Sequence, residues 1–250
     1  MKRFGIIVFC LLIGWGVFPS IVSAQEFERL EYDLSLGFIR GGKATFFSRD
    51  TTLMGKKTIH YKAWGRTVGV VDALYKVDDT YESWVNPSTF LPFKAIRNVR
   101  ERSYRDYSVA YFHQDKDSVF DPEKGWMQVP GNTTDIISIF FYLRKQRNFD
   151  SLKVGETFVM SMWQTGKVYP LAVKYMGVKS LKTSFGKIDC YVLSPQIKAG
   201  KLFKKTDGMT VWISKDANKV PLLLDFDIRV GTLKCELTEF RKYGKVVLKR

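Results

Sequence analysis

Hydrophobic and polar positions alternate with a period of two along most of this chain. Leu30, Tyr32, Leu34, Leu36 and Phe38 fall on one side, with Glu31, Asp33 and Ser35 on the other. That is the pattern of a strand with one buried face. Segments 43–53, 56–64, 77–85, 90–102 and 104–113 read the same way, followed by a short piece around Val119 and another at 125–129. A second series covers 157–164, 167–178, 186–194, 209–214, 220–230 and 233–240. Its clearest member sets Leu222, Leu224, Phe226 and Ile228 against Leu223, Asp225, Asp227 and Arg229. Gly41-Gly42 is a hairpin signal, and Asn86-Pro87-Ser88 and Thr165-Gly166 are turns. Segment 68–75 fits neither period well and suits a short helical turn. Consecutive strands with short turns predict an antiparallel meander whose second face has to be covered.

One stretch breaks the period, NTTDIISIFFYLRKQRN at 132–148. Thr133 or Thr134 can cap its start, Asp135 suits the positive end of a helix dipole, and Arg144, Lys145 and Arg147 suit the negative end. Ile136, Ile139, Phe140 and Leu143 follow the i, i+3, i+4, i+7 template, and Ile137 and Phe141 add a second stripe. A helix apolar nearly all round is a buried one. From Asp135 to Arg147 it would be roughly 20 Å long, too short to cross a bilayer. The expected fold is therefore mainly β: a single antiparallel, partly open β-barrel or strongly curved meander sheet around one long buried helix at about 134–147. Phe140 and Leu143 are expected to face the sheet. Ile137, Phe141 and Tyr142 are the candidate lining of a ligand groove beside the helix.

The N-terminus predicts export. Lys2 and Arg3 precede an apolar run at 4–18, and Val22-Ser23-Ala24 supplies the small residues that signal peptidase requires. Cys10 follows the bulky Phe9 and is a poor lipidation site. Cleavage after Ala24 leaves residues 25–250 as a single β-rich domain, expected in the periplasm or secreted. All-β domains commonly run to this length, and no linker, repeat or low-complexity tract divides it.

Charge changes the picture of partners. Taking Lys2 and Arg3 from the 40 basic residues leaves 38 against 25 acidic ones, a net charge near +13. That favours anionic partners such as phospholipid head groups, lipopolysaccharide or nucleic acid, with a lipid or an anionic membrane surface foremost, beside the plain reading of a well-solvated basic surface. No nucleic-acid recognition motif accompanies the basic clusters at 97–105, 198–205 and 241–250. No catalytic or dinucleotide fingerprint occurs, and none calls for a cofactor or a metal. His60 and His113 stand far apart, and 115–121 lacks the glycine and terminal glutamate of a calcium loop. Asp78, Asp79 and Glu82 are the densest carboxylates, with no cleft implied around them. Cys190 and Cys235 remain after cleavage. In a plain meander they are three strands apart, roughly 14 Å, beyond the reach of a disulfide.

The segments TSFGKIDCYVLSP and VWISKDANKVPLLLDFDIRVGTLKCEL, with LEYDLSLGFIRGGKATF, KVDDTYESWVN and TDIISIFFYLR before them, resemble exported bacterial proteins grouped as domain of unknown function 3108. The resemblance runs from about Leu30 to Leu237. Its most specific pieces are Trp212-Ile213-Ser214 with Asp216 and Pro221, and Asp135 with Tyr142-Leu143-Arg144. It implies a partly open barrel partly filled by a helix, similar in outline to periplasmic lipoprotein carriers, and implies no activity. Three readings follow: a non-catalytic carrier of a lipid or other apolar molecule, a structural envelope protein with a packed core, and an enzyme of unknown class. A cavity beside the helix would separate the first two.

Overall fold

The computed structural model describes residues 26–196, 206–229 and 231–250. The predicted export segment and the basic 198–205 cluster lie outside them. Two meanders build one sheet. The first is β1 (Glu26–Leu36), β2 (Ile39–Leu53), β3 (Lys56–Thr67), β4 (Asp78–Val85), β5 (Pro92–Glu101), β6 (Tyr104–His113), β7 (Ser118–Asp121) and β8 (Gly125–Gln128), with a short helix α1 (Gly69–Leu74) between β3 and β4. The second is β10 (Thr157–Gln164), β11 (Lys167–Thr183), β12 (Gly186–Gln196), β13 (Met209–Ser214), β14 (Pro221–Ile228) and β15 (Gly231–Lys242), preceded by β9 (Thr134–Asp135) and helix α2 (Ser138–Gln146). β16 (Lys245–Lys249), in the basic tail, pairs with β15. The meanders join where β1 lies antiparallel to β15, Leu30 opposite Phe240 and Leu34 opposite Cys235.

The sheet is open rather than a closed barrel. Its path runs from β8 through β1 and β15 to β9, which pairs parallel with β10. Among the described residues side chains, not a ladder, bridge the two ends. Trp163 of β10 packs with Ala110, Phe112 and Val119 of β6 and β7. Gln114 Nε2 donates to the Thr133 carbonyl at 2.9 Å, and Ser83 Oγ donates to Asp135 Oδ2 at 2.6 Å.

The long helix expected at 134–147 is corrected to nine residues, about 13 Å. Its start moves because the two candidate capping threonines are used differently. Thr133 Oγ1 donates to the Pro130 carbonyl and Thr134 Oγ1 to the Ser161 carbonyl. Thr134 and Asp135 are drawn into a ladder beside Met162 and Trp163. Asp135 caps the helix from within that strand: Oδ1 accepts from the amides of Ile137 (2.8 Å) and Ser138 (3.0 Å), while Ser138 Oγ accepts from the Asp135 amide. This reciprocal pair satisfies the first orphan donors. At the other end Arg147 is already extended.

The hairpin signal at Gly41-Gly42 is also corrected. The β1–β2 turn falls at Gly37-Phe38, with Gly37 at φ +59°, and both later glycines lie inside β2. A Cβ on Gly41 would stand 2.5 Å from Val71 of α1, and one on Gly42 3.1 Å from Leu34. These glycines mark close approach rather than reversal. The ambiguous 68–75 segment contains α1, which seats Val71 on Gly41.

Cys190 on β12 and Cys235 on β15 are free, buried and separated by β13 and β14. Burial pushes their thiols up to about 11 and about 12. In denaturant without reductant, protein cleaved after Ala24 is expected to titrate two thiols, and uncleaved protein three. Native protein at mildly alkaline pH should react slowly at both. Zero equivalents after denaturation would refute the strand order.

Candidate functional site

The inner face of the sheet is apolar because the period-two pattern places one side of every strand there. Tyr32, Leu34, Phe46, Ala63, Val173, Leu193, Val211, Leu224 and Leu237 all point inward, and α2 enters the same space. Helix and sheet do not fill it. A chamber of about 1230 Å³ remains, lined by Leu34, Ala44, Phe46, Ala63, Met160, Leu171, Leu193, Val211, Ile213, Leu224 and Leu233, with Ile136, Ile137, Ile139, Phe140 and Leu143 from the helix region.

Strand direction orients this chamber. Leu36, Ile39, Arg66, Thr67, Gln164, Val168, Gln196, Met209 and Leu233 line it at one common end of their strands. Ile39 is 63% exposed and Tyr169 43%, so the chamber opens there. Arg144 lies toward the other end, against Glu28 of β1. Glu28 and Leu36 are separated by eight residues, roughly 26 Å of strand.

Arg144 is fixed from several sides and serves as a structural anchor. Nη1 and Nη2 reach the two Glu28 oxygens at 3.1 and 3.4 Å, with both side chains 1% exposed. Nε donates to the Lys219 carbonyl at 2.7 Å and Nη2 to that of Asn218 at 2.9 Å. Those carbonyls are presented by a turn built from Ser214 and Asp216. Asp216 Oδ1 accepts from Ser214 Oγ and from the amides of Asn218 and Lys219, while Ser214 Oγ accepts from the Val220 amide. The two most specific motifs of the sequence, Ser214 with Asp216 and Pro221, and Asp135 with Arg144, thus meet here.

Of the three groove residues expected from the sequence, Ile137 lines the chamber and Phe141 and Tyr142 do not. Phe141 instead lies flat on Tyr61, ring centroids 3.7 Å apart and planes 3° apart. Phe140 and Leu143 pack against the sheet's core, as expected, and also line the chamber, with Phe140 stacked on Phe46 of β2 at 6.1 Å. Tyr142 packs at the margin of the main core.

The remaining polar candidates are distributed rather than convergent. His60, on β3, stacks on Trp84 and places Nε2 2.7 Å from Glu82 Oε2, a hydrogen bond that holds the Glu82 carboxyl below its ordinary range. Arg49 Nε donates to His60 Nδ1, so the proton of a neutral imidazole sits on Nε2. Asp78 accepts from the Trp64 indole and Asp79 from the Arg100 amide. His113 ends β6 beside Trp126. Among the described residues no group of three or more His, Cys, Asp or Glu side chains is placed to hold a metal.

Fold and site together define a class: an open β-sheet curled into a barrel-like shell around an apolar chamber, with one short helix inside. The chain belongs to the family described as "Protein of unknown function (DUF3108)", whose model matches residues 31–238. Among solved structures it is similar in fold to a beta-barrel-like protein of domain of unknown function DUF1849 from Brucella abortus. That likeness covers 89% of this chain and 100% of the other at 10% identity, with a TM-score of 0.55. A DUF1329 family protein from Desulfovibrio piger is aligned over 88% of this chain and 87% of its own at 13% identity, with a TM-score of 0.21, too low to bear on the fold. No curated protein matches the sequence.

Proposed function

We propose that this chain is a non-catalytic binder or carrier of a lipid or other apolar molecule, exported to the periplasm or beyond. The chamber carries this reading. Protein interiors pack at about 0.74 density with few voids larger than water. A space of about 1230 Å³ exceeds the ~300–1,000 Å³ of drug-sized ligand pockets. Three of the polar side chains on its lining are engaged within the protein. Arg144 serves Glu28 and two carbonyls, Asp79 the Arg100 amide, and Gln196 Nε2 the Ser194 carbonyl. An occupant would therefore be recognised by shape and apolar contact, which suits carriage better than reaction.

An environment-sensitive anilinonaphthalene fluorophore tests this directly. Delipidated protein should bind it saturably, with about one site. Ala44→Trp places a large ring in the chamber and should weaken binding at least about tenfold with little loss of melting temperature. Absence of saturable binding to the unsubstituted protein would leave the packed structural role instead. Native mass spectrometry of protein purified from its own envelope would then identify the natural occupant.

A further inference from the structure

Around the open end of the chamber, apolar side chains stand out into solvent. Phe38, at the tip of the β1–β2 turn, is fully exposed, and Ile39 beside it is 63% exposed. Helix α1 has no buried residue; Val70 and Leu74 project outward while Val71 rests on Gly41. Leu36, Ile39 and Val71 also line the chamber, so this fringe continues the interior surface to the outside. A continuous apolar rim differs from singly scattered surface residues, which need no explanation.

We propose that this rim inserts into the interface of an anionic phospholipid bilayer, bringing the mouth of the chamber onto the lipid surface. Charge selects a bilayer over an apolar protein face. Arg40, Lys43, Arg66, Lys76 and Arg102 are exposed around the turn and α1, on a chain whose 40 basic residues outnumber its 25 acidic ones. Three acids stand among them: Asp72 accepts from Thr67 Oγ1, Asp33 lies 3.7 Å from Arg40, and Glu101 accepts from Tyr75. Apolar tips ringed by arginine and lysine are the arrangement by which peripheral proteins bury side chains a few ångströms deep while cations meet phosphate. Docking gives the opening at this end a purpose: an apolar molecule passes between bilayer and protein without crossing water. The inference deepens the carrier reading and names where loading occurs.

Co-sedimentation with vesicles of phosphatidylcholine containing about one-quarter phosphatidylglycerol is the test. The protein should bind these vesicles, and binding to pure phosphatidylcholine should be at least about tenfold weaker. Substituting Phe38→Ser, Val70→Ser and Leu74→Ser together should lower affinity for the anionic vesicles by about tenfold or more. The melting temperature should not move, because none of the three side chains is buried. Equal vesicle binding by the triple variant would overturn the proposal, as would no binding by the unsubstituted protein. A dimer that the triple variant converts to monomer, without vesicle binding, would assign the rim to a second copy. Vesicle binding without fluorophore binding would sustain the docking surface and remove the carrier reading, so the two failures are distinguishable.

Discussion

Replacing Arg144 with methionine is expected to lower the free energy of unfolding by about 3–5 kcal/mol, a large share of the ~5–15 kcal/mol of a typical domain. Arg144 and Glu28 are both 1% exposed, so removing the guanidinium strands a carboxylate in apolar surroundings. The carbonyls of Asn218 and Lys219 lose their donors in the same step. A double change, Glu28→Leu with Arg144→Met, should recover much of the loss, because the penalty lies in the unpaired charge more than in the absent attraction. Urea denaturation of the two single variants and the double variant closes the cycle. If Arg144→Met costs less than about 1 kcal/mol, water reaches the pair and it does not anchor the helix. The location of this pair explains the expected size of the effect. It ties three parts of the chain far apart in sequence, the start of β1, α2 and the turn before β14, at one end of the chamber.

How much of this was legible in the sequence differs from element to element. Strands were legible wherever one face is wet, because alternation reports burial directly; Leu222, Leu224 and Ile228 are buried as their spacing requires. Glycine was less legible, because the same residue serves reversal and close approach. Only the position of Val71 reveals that Gly41 serves the second. The helix was overextended because apolar character all round is shared by a buried helix and by a buried strand leading into one. Thr134 and Asp135 belong to the strand. The Arg144–Glu28 pair was invisible, since its partners are 116 residues apart and no period links them. The chamber was invisible for a different reason. Side-chain patterning tells which residues turn inward, whereas an empty volume depends on how sharply the sheet curls around them.

The rotation of α2 yields the second large expected effect. Phe141→Ala should cost about 3–5 kcal/mol, the range for deleting a fully buried aromatic ring. Phe141 is 1% exposed and lies flat on Tyr61, so its loss opens a cavity inside packed structure. Fluorophore affinity should stay within about twofold, since Phe141 does not line the chamber. Phe140→Ala should behave in the opposite way. Its ring already borders empty space and has fewer partner atoms to lose, so about half the stability cost is expected. Affinity should fall by about tenfold or more as the contact between ring and ligand disappears. Adjacent helical positions point about 100° apart, which makes this pair a direct gauge of which face the helix turns to the chamber. Paired thermal melts and fluorophore titrations of the two variants read it out. If Phe141→Ala weakens binding while Phe140→Ala mainly destabilises, the helix is turned as the apolar stripes alone suggested, and the chamber wall described above is misplaced by one residue.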